Sequence, residues 1–333
     1  HSGGMSEDGK TNIQIGLINA KKTLLAGFTT VRNLATLHTM QKPVDIEIKK
    51  RIDMGSPGPN IIAAGHPIAL RNSHCDPGHN AKEVSTDYHQ GILDSYDDID
   101  LARQAVRQQI QNGSQWIKVC LTPGALTPQK LNLSEEVLNE IVKIANKKEL
   151  QVAAHALSSE GIRAAVKAGV STIEHAHELT EADIKYIQET HWSGYIVPTL
   201  AITEYVKQGR VAPVIEKHFG QDYLYDYTVS AQESIKIAIE NHLPLAFGTD
   251  AGMFPHAENS KEFSVLTRLG MSPLKAIQAA TTIAAKVLKK SDIGTIQPGA
   301  MADIIGVRGK PTEDITLLED IPWVMKNGVV YKE

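Results

Sequence analysis

Short apolar runs alternate along the chain with longer stretches whose apolar positions recur every three or four residues. The short runs fall at residues 29–33, 60–64, 116–120, 151–155, 171–175, 195–199 and 245–250. Helical periods precede or follow them at 13–25, 99–111, 135–148 and around Ile162, Ala165 and Val166. A further helix is marked by Ser272 as N-cap and Pro273 at its first position, where the missing N–H costs nothing, and its Ala-rich run continues to Leu288. Strands alternating with helices predict parallel βα units. Seven strands are visible and a (β/α)8 barrel has eight, with about 250 residues as its usual size. The expectation is therefore an α/β fold, a (β/α)8 TIM barrel over residues 1–290. Most of its first strand is missing and expected just ahead of His1.

After Lys290 the texture changes to short strands and turns: Gly294-Thr295-Ile296, residues 302–307, and residues 323–330 with Asn327-Gly328 as a hairpin signal. Residues 291–333 are expected to be the C-terminal part of a small β-sandwich, too short to form a good core alone.

Composition narrows the function. The 333 residues are 42% hydrophobic and 22% charged with a net charge of −4, and no window approaches the roughly 20 apolar residues of a membrane span. Neither a nucleic-acid nor a membrane partner is expected. The two cysteines, Cys75 and Cys120, cannot build a disulfide framework and fit a reducing compartment. A cytoplasmic location follows as the expectation, with any export signal lying upstream of His1. Thirteen histidines are many for this length.

In a βα barrel, chemistry gathers at the C-terminal strand ends. There this chain carries Lys118, His155, His175 and Asp250, and His1 would end the first strand. A single strand-end histidine is ordinarily a satisfied polar residue, and Asp250 alone reads as a helix cap. Two imidazoles, a carboxylate and a lysine on one rim point instead to a metal site. Imidazole and carboxylate donors without thiolate suit zinc, with manganese, iron and cobalt behind it.

The carrying motifs are then specific. They are Ala26-Gly27-Phe28-Thr29-Thr30-Val31-Arg32-Asn33, Ile117-Lys118-Val119-Cys120, Val152-Ala153-Ala154-His155-Ala156, Ser171-Thr172-Ile173-Glu174-His175, Val197-Pro198-Thr199-Leu200, Phe247-Gly248-Thr249-Asp250-Ala251-Gly252 and Gly299-Ala300-Met301-Ala302-Asp303. With these the chain resembles the amidohydrolase superfamily, in the branch of imidazolonepropionase-like and Xaa-Pro or Xaa-Arg/Lys dipeptidase enzymes. The resemblance implies a binuclear zinc hydrolase of C–N amide bonds, most simply in dipeptides. His1 matches the second histidine of a His-x-His ligand pair, Lys118 a carboxylated bridging lysine, and His155 and His175 the ligands of the second metal. Asp250 matches the aspartate that ligates metal and moves the proton from a metal-bound hydroxide to the leaving amine. The family also builds a small β-sandwich from both chain ends. His74, in Asn72-Ser73-His74-Cys75-Asp76, resembles a substrate-contacting Gly-Gly-His loop, with Ser73 where the family carries Gly. Tyr205 is the nearest candidate for a substrate contact, since Ala201 occupies the usual tyrosine position. His256 lies in the loop after the last strand and is the third substrate-contact candidate.

The remaining features read blandly. His38, His89, His191, His218 and His242 are expected on the surface, His177 behind the site or on the surface, and Glu174 pointing away from the barrel interior. Tyr223, Tyr225 and Tyr227 read as lid or packing residues, and Cys120 as a small rim residue. The expected partners are a dipeptide or other small-molecule substrate and further copies of the chain in a homo-oligomer. A cyclic-amide hydrolase of imidazolonepropionase type and a catalytically silent barrel scaffold are the competing functions.

Overall fold

The structure, a computed structural model, describes residues 12–35, 43–76, 91–124, 130–210 and 221–333. Its first half runs α1 (Asn12–Leu25), β1 (Thr30–Asn33), α2 (Val44–Asp53), β2 (Asn60–Ala63), β3 (Ala69–Leu70), β4 (Ile92–Leu93), α3 (Ile99–Asn112), β5 (Trp116–Cys120) and α4 (Glu135–Lys147). Then come β6 (Gln151–Ala156), α5 (Ser159–Ala168), β7 (Thr172–His175), α6 (Glu181–Glu189), β8 (Tyr195–Val197), α7 (Ala201–Lys207), α8 (Gln221–Glu240) and α9 (Lys261–Arg268).

The barrel wall follows this order. β1 pairs in parallel with β2, Thr30 opposite Asn60. β2 is tied to the start of β5 by Gln115 N–H donating to Ala63 O at 2.7 Å. β5, β6, β7 and β8 form one parallel sheet. Beyond β8, Ile196 N–H donates to Pro244 O and Ala246 N–H to Ile196 O, both at 2.9 Å. Among the described residues, the segment at Leu245 has this one ladder neighbour, so only a single bridge forms where a strand over 245–250 is expected. On its other side Phe247 stacks on Phe28 at 5.9 Å.

β5 and β6 are buried at every residue, as befits parallel strands covered on both faces. The helices cover the outer face with one stripe each. In α4 the stripe is Val137, Leu138, Ile141, Val142 and Ala145, and Ser134 caps it by accepting from Val137 N–H. Ser158 caps α5 in the same way, and Thr180 with Asp183 forms a capping box on α6.

Three expected elements differ. The strand over 195–199 stops at Val197, because Thr199 takes a left-handed φ of 57°. The helix after Ser272 is interrupted by a π turn at Ala279–Ile283, where Phe247 N–H reaches in to bond Ala279 O. Gly294-Thr295-Ile296 forms bends rather than a strand, with Gly294 at φ 81°.

The last residues form an antiparallel sheet of β9 (Ile304–Gly306), β10 (Trp323–Lys326) and β11 (Val329–Lys332). Asn327 and Gly328 both have positive φ, 51° and 77°, as the expected hairpin turn requires. This sheet is fastened to the barrel: Val324 and Ile321 join the main core, and the buried Lys326 donates to Gly58 O at 2.8 Å. No described helix is long and apolar enough to cross a membrane.

Candidate active site

At the C-terminal ends of the strands lies a cavity of about 1190 Å³ whose walls include Lys118, His155, His175, Asp250, His74 and His256. Lys118 sits in the middle of β5 with its side chain inward, 6% exposed. His155 is the fifth residue of β6. His175 ends β7, and φ values of 80° at His175 and 53° at Ala176 break the strand's alternation there. Glu174 and His175, though neighbours, therefore both line the cavity. This corrects the expectation that Glu174 points outward: it is buried and paired with Arg32 of β1, which donates to both its oxygens at 3.0 and 3.1 Å.

The rings of His74, His155 and His175 lie in a row, with centroids 5.2 Å and 4.8 Å apart. Room for His74 depends on Gly124, where a Cβ would stand 2.6 Å from His74 Nδ1. Hydrogen bonds fix which imidazole nitrogens are free. His155 Nε2 lies 3.3 Å from Pro123 O, and a carbonyl only accepts, so Nε2 carries the proton and Nδ1 keeps its lone pair. His175 Nδ1 lies 2.6 Å from Thr199 Oγ1, whose own proton is donated to Pro198 O at 2.7 Å. The Thr199 oxygen thus accepts from Nδ1–H, leaving the Nε2 lone pair of His175 free.

Electrostatics favour neutral donors. Burial, reinforced by neighbouring imidazoles and Lys118, holds His155 and His175 well below the usual histidine range. Burial also pushes the Lys118 ammonium down to about 8, against the pull of Glu174 and Asp250. Asp250 meets water inside the cavity, but the enclosing protein raises its carboxyl above the usual range, with Lys118 and His74 pulling the other way.

Among the described residues no three His, Cys, Asp or Glu side chains form a metal shell by themselves. The donors present still fit a metal ion as part of a set. Two adjacent imidazoles keep free lone pairs, a carboxylate shares the cavity, and no hydrogen bond or ion pair occupies the buried Lys118 amine among the described residues. His1 lies outside the described residues, as do His38, His89 and His218.

Of the substrate candidates, His74 and His256 line the cavity, His256 with Nδ1 3.4 Å from Thr23 Oγ1. Tyr205 is not brought to it. Its hydroxyl donates to Glu258, its ring stacks on Phe254 at 5.0 Å, and Arg210 and Lys261 lie over it. His191 and His242 are exposed as expected. His177 is buried behind His175, its ring 5.4 Å from His175 and 4.7 Å from Tyr227. Cys120 is not an isolated rim residue: it is bonded to Cys75, which ties the His74 turn to β5. Three residues near the site were given no role of their own from the sequence: Arg32 and Thr199, which stand within quoted motifs, and Glu262. A cation inside an apolar strand was the available signal for Arg32. Glu262 had none, since its partners lie about sixty residues away.

A βα barrel with polar side chains gathered at the strand ends is the usual frame of an enzyme site. Residues 4–331 match the amidohydrolase family, and the chain belongs to it. It is 28% identical over 332 residues to ochratoxinase of Aspergillus niger, covering 93% of this chain and 67% of that protein. Among solved structures it is similar to a Xaa-Pro dipeptidase with methionine bound in the active site. That likeness has a TM-score of 0.87 and 31% identity, covering 99% of this chain and 80% of the other. It is also similar to a prolidase complexed with N-methylphosphonate-L-proline, with a TM-score of 0.81 and 25% identity over 97% and 81% of the two chains. The chain is accordingly a hydrolase acting on carbon–nitrogen bonds.

Proposed function

We propose that this protein is a metal-dependent amidohydrolase that cleaves the amide bond of dipeptides, with Xaa-Pro or Xaa-Arg/Lys as substrates. The observation that carries the reading is the presence of Lys118, His155, His175 and Asp250 in one cavity wall at the strand ends. The dipeptidase and prolidase likenesses support the substrate class.

His155 through Nδ1, His175 through Nε2, Asp250 and Lys118 would hold zinc, two ions per chain with His1 contributing. Bound there, zinc supplies polarisation of the scissile carbonyl and activation of water at neutral pH. Lys118 contributes through its lowered basicity. An amine with a pKa of about 8 is partly neutral at pH 7, adds to carbon dioxide, and releases one proton to become a carbamate with two ligand oxygens. Asp250 takes the proton of the attacking water and passes it to the leaving amine, a task its raised pKa suits. His74, beside His155, would donate to the carbonyl oxygen as charge develops on it. His256 bounds the space for the substrate from the side of α1.

The test is a dipeptide library assayed with zinc and bicarbonate. Cleavage of Xaa-Pro, Xaa-Arg or Xaa-Lys is expected, together with a loss of at least 10³-fold in kcat for Asp250→Asn. Opening of cyclic amides with no peptide cleaved would replace this reading with the imidazolonepropionase type.

A further inference from the structure

β8 ends at Val197, and two residues later the chain adopts a conformation that β-branched residues rarely take: Thr199, 5% exposed, at φ 57°. Such a backbone persists only where its surroundings over-determine it. The restraint comes from Glu262 on α9, fully buried at 0% exposure. One carboxylate oxygen accepts from Leu200 N–H at 3.0 Å and the other from Ala201 N–H at 2.6 Å. Among the described residues no lysine, arginine or histidine pairs with this carboxylate. Its role lies in the two amides that follow Thr199. Thr203 adds a second restraint, its hydroxyl donating to Leu200 O at 2.7 Å.

The result is a threonine hydroxyl aimed at one atom. Its proton goes to Pro198 O, and its lone pair receives His175 Nδ1–H at 2.6 Å. Glu262 itself does not line the cavity.

We propose that Glu262 and Thr199 form a positioning relay: Glu262 holds the Thr199 turn, and Thr199 fixes the ring orientation and the Nδ1–H tautomer of His175. The relay rests on His175 being a site residue of the hydrolase read above, and it names the groups that set its geometry. Neither Glu262 nor Thr199 enters the reaction as a catalytic residue.

The experiment uses the full chain labelled with ¹⁵N-histidine and freed of metal by a chelator, because a metal on Nε2 would itself impose the Nδ1–H tautomer. Long-range ¹H–¹⁵N spectra report the tautomer of each imidazole, and the His175→Gln protein assigns the His175 signals. Wild type is expected to show His175 as the Nδ1–H tautomer. Thr199→Val keeps the shape and branching of the side chain and removes the hydroxyl. Glu262→Gln keeps the volume and leaves one acceptor for two amides. Both are expected to move His175 toward the other tautomer or a mixture, and Thr199→Ser to restore it. On a cleaved dipeptide, Thr199→Val is expected to lower kcat at least 10-fold with KM within about 2-fold, and Thr199→Ser to stay within about 3-fold in kcat. An unchanged His175 tautomer in folded Thr199→Val protein overturns the proposal, whether or not Glu262→Gln folds. So does an Nε2–H tautomer in wild type. The spectra need no substrate, so failure of the dipeptidase reading leaves this outcome separately decided.

Discussion

Arg32 and Glu174 bridge the barrel interior beside Lys118, and the pair yields to a double-mutant cycle. Their side chains are 10% and 5% exposed, so solvent screens them little. Arg32 donates twice to Glu174 and once to Thr172 Oγ1 at 3.0 Å, and its guanidinium lies 4.4 Å over the Trp116 ring. In Arg32→Met the Glu174 carboxylate keeps the Thr172 hydroxyl and loses its cation. Breaking a buried pair in this way costs about 3–5 kcal/mol. An exposed pair such as Lys185–Glu189, 75% and 63% exposed, is worth about 0–1 kcal/mol. Against a total stability of about 5–15 kcal/mol the difference is easily read. Glu174→Leu strands the arginine and is expected to cost a similar amount. The double variant leaves neither charge unpaired, so its cost should fall short of the sum by about 1–3 kcal/mol. Urea unfolding at pH 7.5, with unchanged m-values, measures all four proteins. Single losses below about 1 kcal/mol, or additivity within about 0.5 kcal/mol, would refute the reasoning.

Three further outcomes are expected. Replacing both Cys75 and Cys120 by Ser opens a cross-link between residues 45 apart, which chain entropy values at about 4 kcal/mol; a loss under about 1 kcal/mol in urea would contradict that. Acid should destabilise the metal-free fold. His155 and His175 stay neutral when folded but protonate near 6.5 when unfolded, so the unfolded chain binds more protons and stability falls as pH drops below about 6.5. His177, pushed by burial to about 4, adds about 2–3 kcal/mol of this loss near pH 4, and His177→Leu should remove that share in urea titrations at pH 8 and 4.5. Tyr205→Phe should leave KM within about 2-fold and cost about 1 kcal/mol, because Glu258 retains Lys261 at 2.6 Å; a tenfold rise in KM would show that Tyr205 meets substrate after all.

What could be read in the sequence was whatever repeats with a period or sits at a fixed place in a motif. The βα alternation placed β5, β6 and β7 to within a residue, because buried parallel strands are apolar throughout and their neighbours are amphipathic. Lys118, His155, His175 and Asp250 drew notice because each falls in or just after an apolar strand run, and the four share one cavity wall. What escaped depends on φ or on distant partners. An inward His175 in a regular strand would put Glu174 outward; Glu174 instead stands in register with the inward His155, and left-handed backbone at His175 and Ala176 brings His175 to the same cavity. Nothing in the residues around Glu262 announces that its carboxylate holds a turn after β8. The pairing of Cys75 with Cys120 likewise requires knowing that the His74 turn folds back onto β5.

His175, Thr199 and Asp250 share a trait: each is a non-glycine residue with positive φ, at 80°, 57° and 52°, at or just past the end of one of three neighbouring strand segments. The usual route to a hardier protein, placing glycine wherever the backbone turns left-handed, is closed at all three, because each side chain is committed to the cavity or to a hydrogen bond that serves it. That route stays open at His191, His242 and Lys289, exposed residues with φ of 50°, 56° and 53°. Thermostabilised descendants of this chain should accumulate their glycines there, and the rim should keep its costly backbone for as long as the chain remains an enzyme.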